Sequence, residues 1–330
     1  MTVEKIIGSF KGLKVLIVGD VMIDSYLWGN THRVSPEAPV PIVNITKDEH
    51  RMGGAANVAL NIKSLGATPI MLSVVGNDDM GDVYLDLLKR RKMSDSCIIL
   101  SKNRKTSQKT RVISHNQQVV RIDNESIDPL NKKDEDLLIS RLHSLLSEEK
   151  IDVIILEDYN KGVLTPRVIR EVISTANAKK IPTAVDPKKD NFFEFNGATL
   201  FKPNLKEFIE GLKLSSIPEA KKTWLRAIQQ LRSVVNQKFT FVTLSEDGVL
   251  IENKGDISFI PAHIRNIADV SGAGDTVISV AALCLALKTS PTMLASLANL
   301  AGGLVCEEAG VVPISPDLLI KEAMEKGITS

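Results

Sequence analysis

Short apolar runs rich in β-branched residues recur along the chain, and stretches with helical spacing separate them. Lys14-Val15-Leu16-Ile17-Val18-Gly19-Asp20 is the first such run. Its unbroken apolarity is that of a parallel strand covered on both faces. Similar runs lie at Pro69 to Val75, Val153 to Leu156, Thr183 to Val185, Thr199 to Lys202 and Phe239 to Leu244. Helical patterns cover Ala55 to Leu65, Asp82 to Arg90, Asp134 to Leu146, Pro166 to Ala178 and Pro218 to Val235. This alternation predicts an α/β fold, with a mostly parallel central sheet and helices on both faces.

Two segments break the rhythm. Gly29 to Arg51 carries three prolines and a partly alternating pattern through Val40, Ile42, Val43 and Ile45. Thr106 to Asp123 alternates in part through Thr110, Val112, Ile113, Val119, Val120 and Ile122. Both predict short antiparallel strands that form a small β lid over a site at the strand ends. With no internal repeat or linker, residues 1–330 are expected to form one domain, with lid strands inserted at about 29–51 and 106–123.

Composition changes this picture little. At 330 residues and 43% hydrophobic, the chain can bury one large core. A net charge of +1 gives no reason to expect nucleic acid or an anionic membrane as partner. The basic run Lys89-Arg90-Arg91-Lys92 is short and reads as a solvated helix end. Cys97, Cys284 and Cys306 lack paired spacing, so neither a disulfide framework nor a zinc site is expected. The five histidines are scattered. Met1 to Phe10 lacks a signal-peptide core and no apolar stretch is long enough to span a bilayer, so the expected location is the cytoplasm.

The most informative string is Asp269-Val270-Ser271-Gly272-Ala273-Gly274-Asp275-Thr276, followed at once by the apolar run Val277 to Leu287. Gly272 and Gly274 allow close backbone approach to a ligand, and the run predicts a buried helix beginning just after Gly274. Free N–H groups at a helix start hold anions. Asp275 stands where it could take a proton from a hydroxyl while those amides hold phosphoryl charge. That layout suits phosphoryl transfer to an alcohol. Met52-Gly53-Gly54-Ala55-Ala56-Asn57-Val58-Ala59 places a second glycine pair at a helix entry. Read locally, it offers a tight turn, close packing and a cap.

Taken together, the two strings resemble the signature motifs of the PfkB, or ribokinase-like, carbohydrate kinases. The C-terminal one is written Asp-Thr-x-Gly-Ala-Gly-Asp, and here Val270 and Ser271 fill the second and third places. The resemblance implies a ribokinase-like fold. It makes Asp275 the base and the Gly272, Ala273 and Gly274 amides the phosphoryl cradle, with Gly53, Gly54 and Asn57 on sugar hydroxyls. Longer strings are similar to one branch, the kinases acting on the anomeric hydroxyl of D-glycero-D-manno-heptose 7-phosphate. They are Gly19 to Asp24, Arg33 to Pro41, Gly53 to Asn61, Lys109 to Ser114 with Asn116-Gln117-Gln118 and Arg121, and Asp158-Tyr159-x-Lys161-Gly162. That branch implies heptose 1,7-bisphosphate as product, for ADP-heptose and lipopolysaccharide or other glycan synthesis.

The residue chemistry is compatible with a phosphorylated sugar. Asp20, Asp24 and Asn57 can bind hydroxyls, and Asp158 and Lys161 lie in a branch string. Lys109, Arg111 and Arg121 are lid cations able to hold a phosphate, or equally to form a solvated strand face. Alternation puts Lys109 and Arg111 on one face.

For the nucleotide, Asn204-Leu205-Lys206-Glu207 matches the family's Asn-x-x-Glu motif, which organises Mg²⁺; as a capping box it would look identical. Thr243, Ser245 and Gly248 resemble the loop that meets ATP phosphates, while Asn299 and Gly303 lie on the helix Leu294 to Glu307 beside the adenine. No P-loop string is present. The resemblance also allows a monovalent cation beside the Asp269 loop. Two residues depart from the branch, Lys189 after Asp186-Pro187-Lys188 and Glu157 before Asp158. With no nucleotidyltransferase segment before Ser330, the kinase alone is expected, as a homodimer paired through lid edges. The alternatives are a related kinase for another sugar, sugar phosphate or nucleoside, and a catalytically silent sugar- or nucleotide-binding regulator.

Overall fold

The apolar runs become the inner strands of a nine-stranded sheet. The computed structural model describes residues 2–115, 117–263, 265–308 and 310–328. Asn116, part of one branch string, lies outside them. The strands are β1 (Lys14–Gly19), β2 (Val21–Val34), β3 (Pro41–Gly54), β4 (Thr68–Gly76), β5 (Ile98–Ser101), β6 (Gln108–Ser114) and β7 (Gln117–Asn124). They continue with β8 (Val153–Glu157), β9 (Thr183–Asp186), β10 (Leu200–Phe201), β11 (Phe239–Thr243), β12 (Val249–Asn253) and β13 (Asp256–Ile260). The helices are α1 (Val3–Gly8), α2 (Ala55–Ser64), α3 (Asp79–Arg90), α4 (Lys132–Glu148) and α5 (Pro166–Ala178). After these come α6 (Leu205–Leu212), α7 (Lys221–Val235), α8 (Ala273–Ala286), α9 (Pro291–Val305) and α10 (Pro316–Glu325).

The main sheet runs β13-β12-β11-β10-β9-β8-β1-β4-β5, parallel from β11 to β5 and antiparallel at β12 and β13. Alternate residues of one strand feed two separate cores. Val15 and Ile17 of β1 pack with α2, α8 and α9, while Leu16 and Val18 pack with α4, α5 and α7. Burial on both faces is why β1 shows no polar alternation.

The segments expected as lid strands form the second sheet, β3-β2-β6-β7. It departs from expectation in two ways. β2 and β3 are 14 residues each and extend inward to Val21 and Gly54, beyond the expected 29–51. In addition β2 pairs with β6 in parallel, so the lid is mixed rather than antiparallel. Val21–Ile23 is buried where β2 leaves the core, which erases the alternation that would have marked it. The helix expected from Pro218 begins at Lys221, and the one expected from Leu294 begins at Pro291, capped by the Ser290 side chain.

Candidate active site

Parallel register carries Asp20, Glu157, Asp186 and Lys202 to one end of the sheet, where β1, β8, β9 and β10 finish. α8 points its N-terminus at the same end. It starts at Ala273, two residues earlier than expected, because Gly272 is the N-cap at φ 80°. A Cβ on Gly272 would also stand 2.9 Å from Asn57 Nδ2, so backbone conformation and space both require glycine. Gly274 lies open, and a Cβ placed there would sit 3.8 Å from Asp186 Oδ2 and 3.9 Å from Lys202 Nζ. An anion held on these amides therefore lies beside a lysine.

Asp275 is 6% exposed. Asn57 Nδ2 donates to its Oδ2 at 2.6 Å and the Tyr159 hydroxyl donates to its Oδ1 at 2.7 Å. Burial pushes its carboxyl up to about 6, against the pull of these two hydrogen bonds. Asn57 is itself fixed by the neighbouring turn: Asn61 Nδ2 donates to its carbonyl, and Asn61 Oδ1 accepts from Thr276 of α8. Among the described residues, Asn57 Oδ1 is buried with no hydrogen-bond partner.

Behind this pair sits an ionic cluster. Lys202 Nζ lies 2.7 Å from Asp186 Oδ2, and both side chains are at most 5% exposed. Lys188 Nζ reaches Asp186 Oδ1 at 3.3 Å and Glu207 Oε1 at 2.8 Å. Burial would raise Asp186, but Lys188 and Lys202 outweigh it and hold the carboxyl below its ordinary value. Glu157 is fully buried, and neither of its oxygens has a partner among the described residues. Burial, then Asp186 and Asp275, push its carboxyl well above the ordinary carboxylate value.

Several residues expected to meet the sugar have other work. Asp20 accepts the backbone N–H groups of Tyr159, Lys161 and Val163 at 2.8, 3.1 and 2.9 Å. It anchors the loop after β8 instead of presenting a free carboxylate. Asp158 accepts from Asn160 N–H and Asn191 Nδ2, and burial, then Asp20, lift it to about 6. Gly53 and Gly54 have steric reasons of their own. A Cβ on Gly53 would meet Asp24 Oδ2 at 2.1 Å, and one on Gly54 would meet Asp20 O at 2.5 Å.

Lys109 and Arg111 do share a lid face with Asp24, Tyr26 and Arg51, as the register shows. Each lid cation named from the sequence is paired. Arg111 meets Asp24 at 2.6 Å, and Lys109 and Arg121 meet Asp123 at 3.7 and 2.9 Å; Lys161, in the loop after β8, meets Glu125 at 2.5 Å. Arg51, missed by sequence reasoning, lies 4.7 Å from the Tyr26 ring centre, and Arg111 lies 5.3 Å from it.

On the nucleotide side, Asn204 and Glu207 form a reciprocal capping box at the start of α6, with both bonds at 2.8 Å. Thr243 bridges to Asn204, and Ser245 and Gly248 take positive φ in the turn between β11 and β12. Asn299 Nδ2 donates to Pro261 O at 2.9 Å. Gly303 lies under Arg265, whose guanidinium joins Glu307 and Glu322. Tyr159, Lys188, Lys202 and Arg265 were not assigned from sequence. A lysine ending an apolar strand just before Pro203-Asn204 was the available signal for Lys202. Among the described residues, no group of three or more His, Cys, Asp or Glu side chains can hold a metal by itself. Among the described residues, no helix is long and apolar enough to cross a membrane.

Comparison with known proteins bears on this geometry. The profile described as pfkB family carbohydrate kinase matches residues 13–318. The bifunctional protein HldE of Geobacter metallireducens is 38% identical over 315 residues, 95% of this chain and 64% of that protein. The protein of the same name from Campylobacter jejuni (strain RM1221) is 40% identical over 306 residues, 92% of this chain and 63% of that protein. The chain thus spans somewhat under two thirds of these relatives. Among solved structures, Escherichia coli phosphofructokinase-2 in complex with potassium aligns with TM-score 0.78 at 18% identity, over 95% of this chain and 98% of that one. Arabidopsis thaliana ribokinase complexed with ribose and ATP aligns with TM-score 0.71 at 15% identity, over 94% and 99%. At such identities these neighbours show a shared ribokinase-like fold.

Proposed function

Since the chain belongs to the pfkB family of carbohydrate kinases, which the match over residues 13–318 shows, we propose that it transfers the γ-phosphoryl group of ATP to the C1 hydroxyl of D-glycero-D-manno-heptose 7-phosphate. The observation that carries the chemistry is the buried Asp275 carboxylate at the N-terminus of α8, aimed by Asn57 and Tyr159. Asp275 takes the hydroxyl proton as the C1 oxygen bonds to the γ-phosphorus and the bond to the ADP oxygen breaks. The Ala273 and Gly274 amides and Lys202 balance the charge on the transferring group. Asn57 Oδ1 accepts from a sugar hydroxyl and so ties substrate recognition to the base.

Asn204 and Glu207 offer hard oxygens already engaged in a cap, which fits a hydrated Mg²⁺ reached through water and held mainly by nucleotide phosphates. When bound, that ion neutralises phosphate charge. Arg265 and Asn299 border the adenine end, and Thr243, Ser245 and Gly248 the phosphate end. A monovalent cation belongs beside Asp269, whose carboxylate accepts from the Ser271 and Gly310 amides.

The strings shared with heptose 7-phosphate kinases support the choice of sugar, and on the lid face Arg51, Lys109, Arg111 and Arg121, now paired with Glu49, Asp123 and Asp24, are the cations that its remote phosphate would draw from those carboxylates. β7 is exposed along its whole length at the lid edge, with Val119, Val120 and Ile122 outward, and pairing of two lids there makes the homodimer. ADP release with heptose 7-phosphate, ribose, fructose 6-phosphate and adenosine tests the assignment. Turnover confined to the heptose supports it, and preference for another acceptor discards it.

A further inference from the structure

We infer that Tyr159 is a positioning residue, whose hydroxyl aims the Asp275 carboxylate and sets the pH range over which it accepts a proton; this rests on Asp275 being the base. The geometry is specific. The Tyr159 hydroxyl donates to Asp275 Oδ1 at 2.7 Å, opposite the Asn57 bond to Oδ2, so the carboxylate is held from both sides. Its backbone N–H donates to Asp20 Oδ2 at 2.8 Å, and Asp20 also takes the Lys161 and Val163 amides. The ring is thus fixed by the loop it stands on. Lys188 Nζ lies 5.6 Å from the ring centre, which braces the other side.

The charge environment explains why a neutral donor is needed here. Glu157 from β8, Asp186 from β9 and Lys188 and Lys202 from the following loops all face this region, while α2 presents the neutral Asn57. Asp186 is already paired with both lysines. Asp275 therefore takes its direct stabilisation from two uncharged donors. A donor that favours the ionised carboxylate lowers its proton affinity, and losing that donor raises it. Burial and nearby acids push the Tyr159 hydroxyl well above its ordinary value, so it keeps its proton and stays a donor.

The test is the pH dependence of kcat/KM, whose acid limb reports the free enzyme's base. It uses the full chain and whichever sugar the acceptor panel shows to be turned over. Tyr159→Phe moves the limb up by about one pH unit and lowers kcat by roughly tenfold, with the sugar KM within about twofold. Replacing Tyr159 by 3-fluorotyrosine, a more acidic donor of nearly the same shape, moves the limb down instead. Opposite shifts cannot come from lost packing. Limbs that stay in place, or move together, overturn the proposal. If Tyr159→Phe does not fold, the fluorotyrosine protein decides alone. Asp275→Asn separates the two claims: retained turnover there removes the base itself, whereas its loss with unmoved limbs removes only the role of Tyr159.

Discussion

Replacing Lys202 by methionine removes one buried cation and keeps most of the side chain's volume. The Asp186 oxygen that it pairs at 2.7 Å is then left without its partner, in a site where both side chains are at most 5% exposed. Breaking a buried pair in this way costs about 3–5 kcal/mol. Lys188 still reaches the other Asp186 oxygen at 3.3 Å, which places the cost near the lower end. For a domain of 330 residues, ~3 kcal/mol is a drop of roughly 4–5 °C in melting temperature. Activity falls for a separate reason. Lys202 Nζ stands 3.9 Å from where a Cβ on Gly274 would lie, in the proposed phosphoryl cradle, and losing one such stabilising group lowers kcat about 10²–10³-fold. Adding Asp186→Asn removes the stranded charge, so the double variant regains most of the melting temperature and little of the turnover. ADP release and a thermal melt on the same samples read both quantities. A Lys202→Met protein with kcat within about threefold of the parent would refute the reasoning, and so would a double variant that recovers turnover along with stability.

Other outcomes follow from the same geometry. Gly272→Ala puts a Cβ at φ 80° and 2.9 Å from Asn57 Nδ2, so it lowers stability by about 1–2 kcal/mol and disturbs the Asn57–Asp275 bond; unchanged melting and kcat would contradict this. Because Asp275 works ionised and burial lifts it to about 6, kcat/KM rises through about pH 6 and is lost in acid. A profile flat down to pH 4.5 would oppose that sign. Val120→Lys with Ile122→Lys on the exposed β7 edge yields monomers by light scattering, and an unchanged particle mass would argue against pairing through the lid.

Much of the architecture was legible because burial leaves a direct trace in the sequence. α5 runs from Pro166 to Ala178 as its apolar spacing predicts, with Thr165 capping and proline opening the first turn. β1 was readable because both its faces are covered. The lid's inner ends were not, since Val21–Ile23 is buried like a core strand. β12 and β13 are an antiparallel pair added to a parallel sheet, and they show no strand-helix alternation. At the site, the Gly272 to Asp275 string could be read because backbone conformation and the helix start demand particular residue types. Asp20 shows the opposite. One carboxylate can serve a ligand or three backbone amides, and only the fold reveals that it anchors Tyr159, Lys161 and Val163. Tyr159 and Lys202 likewise sit beside residues more than 70 positions away in sequence, so spacing carried no sign of the Tyr159–Asp275 bond or of Lys202's approach to Gly274.

The central claim is that Asp275 takes the proton from the acceptor hydroxyl, and Asp275→Asn tests it most directly. The substitution keeps the shape and leaves the Asn57 and Tyr159 side chains in place. With Mg-ATP and the sugar that the wild-type chain turns over, the account predicts kcat lower by about 10²–10⁴-fold, with sugar affinity by calorimetry within a fewfold of the parent. Turnover close to that of the parent would contradict it.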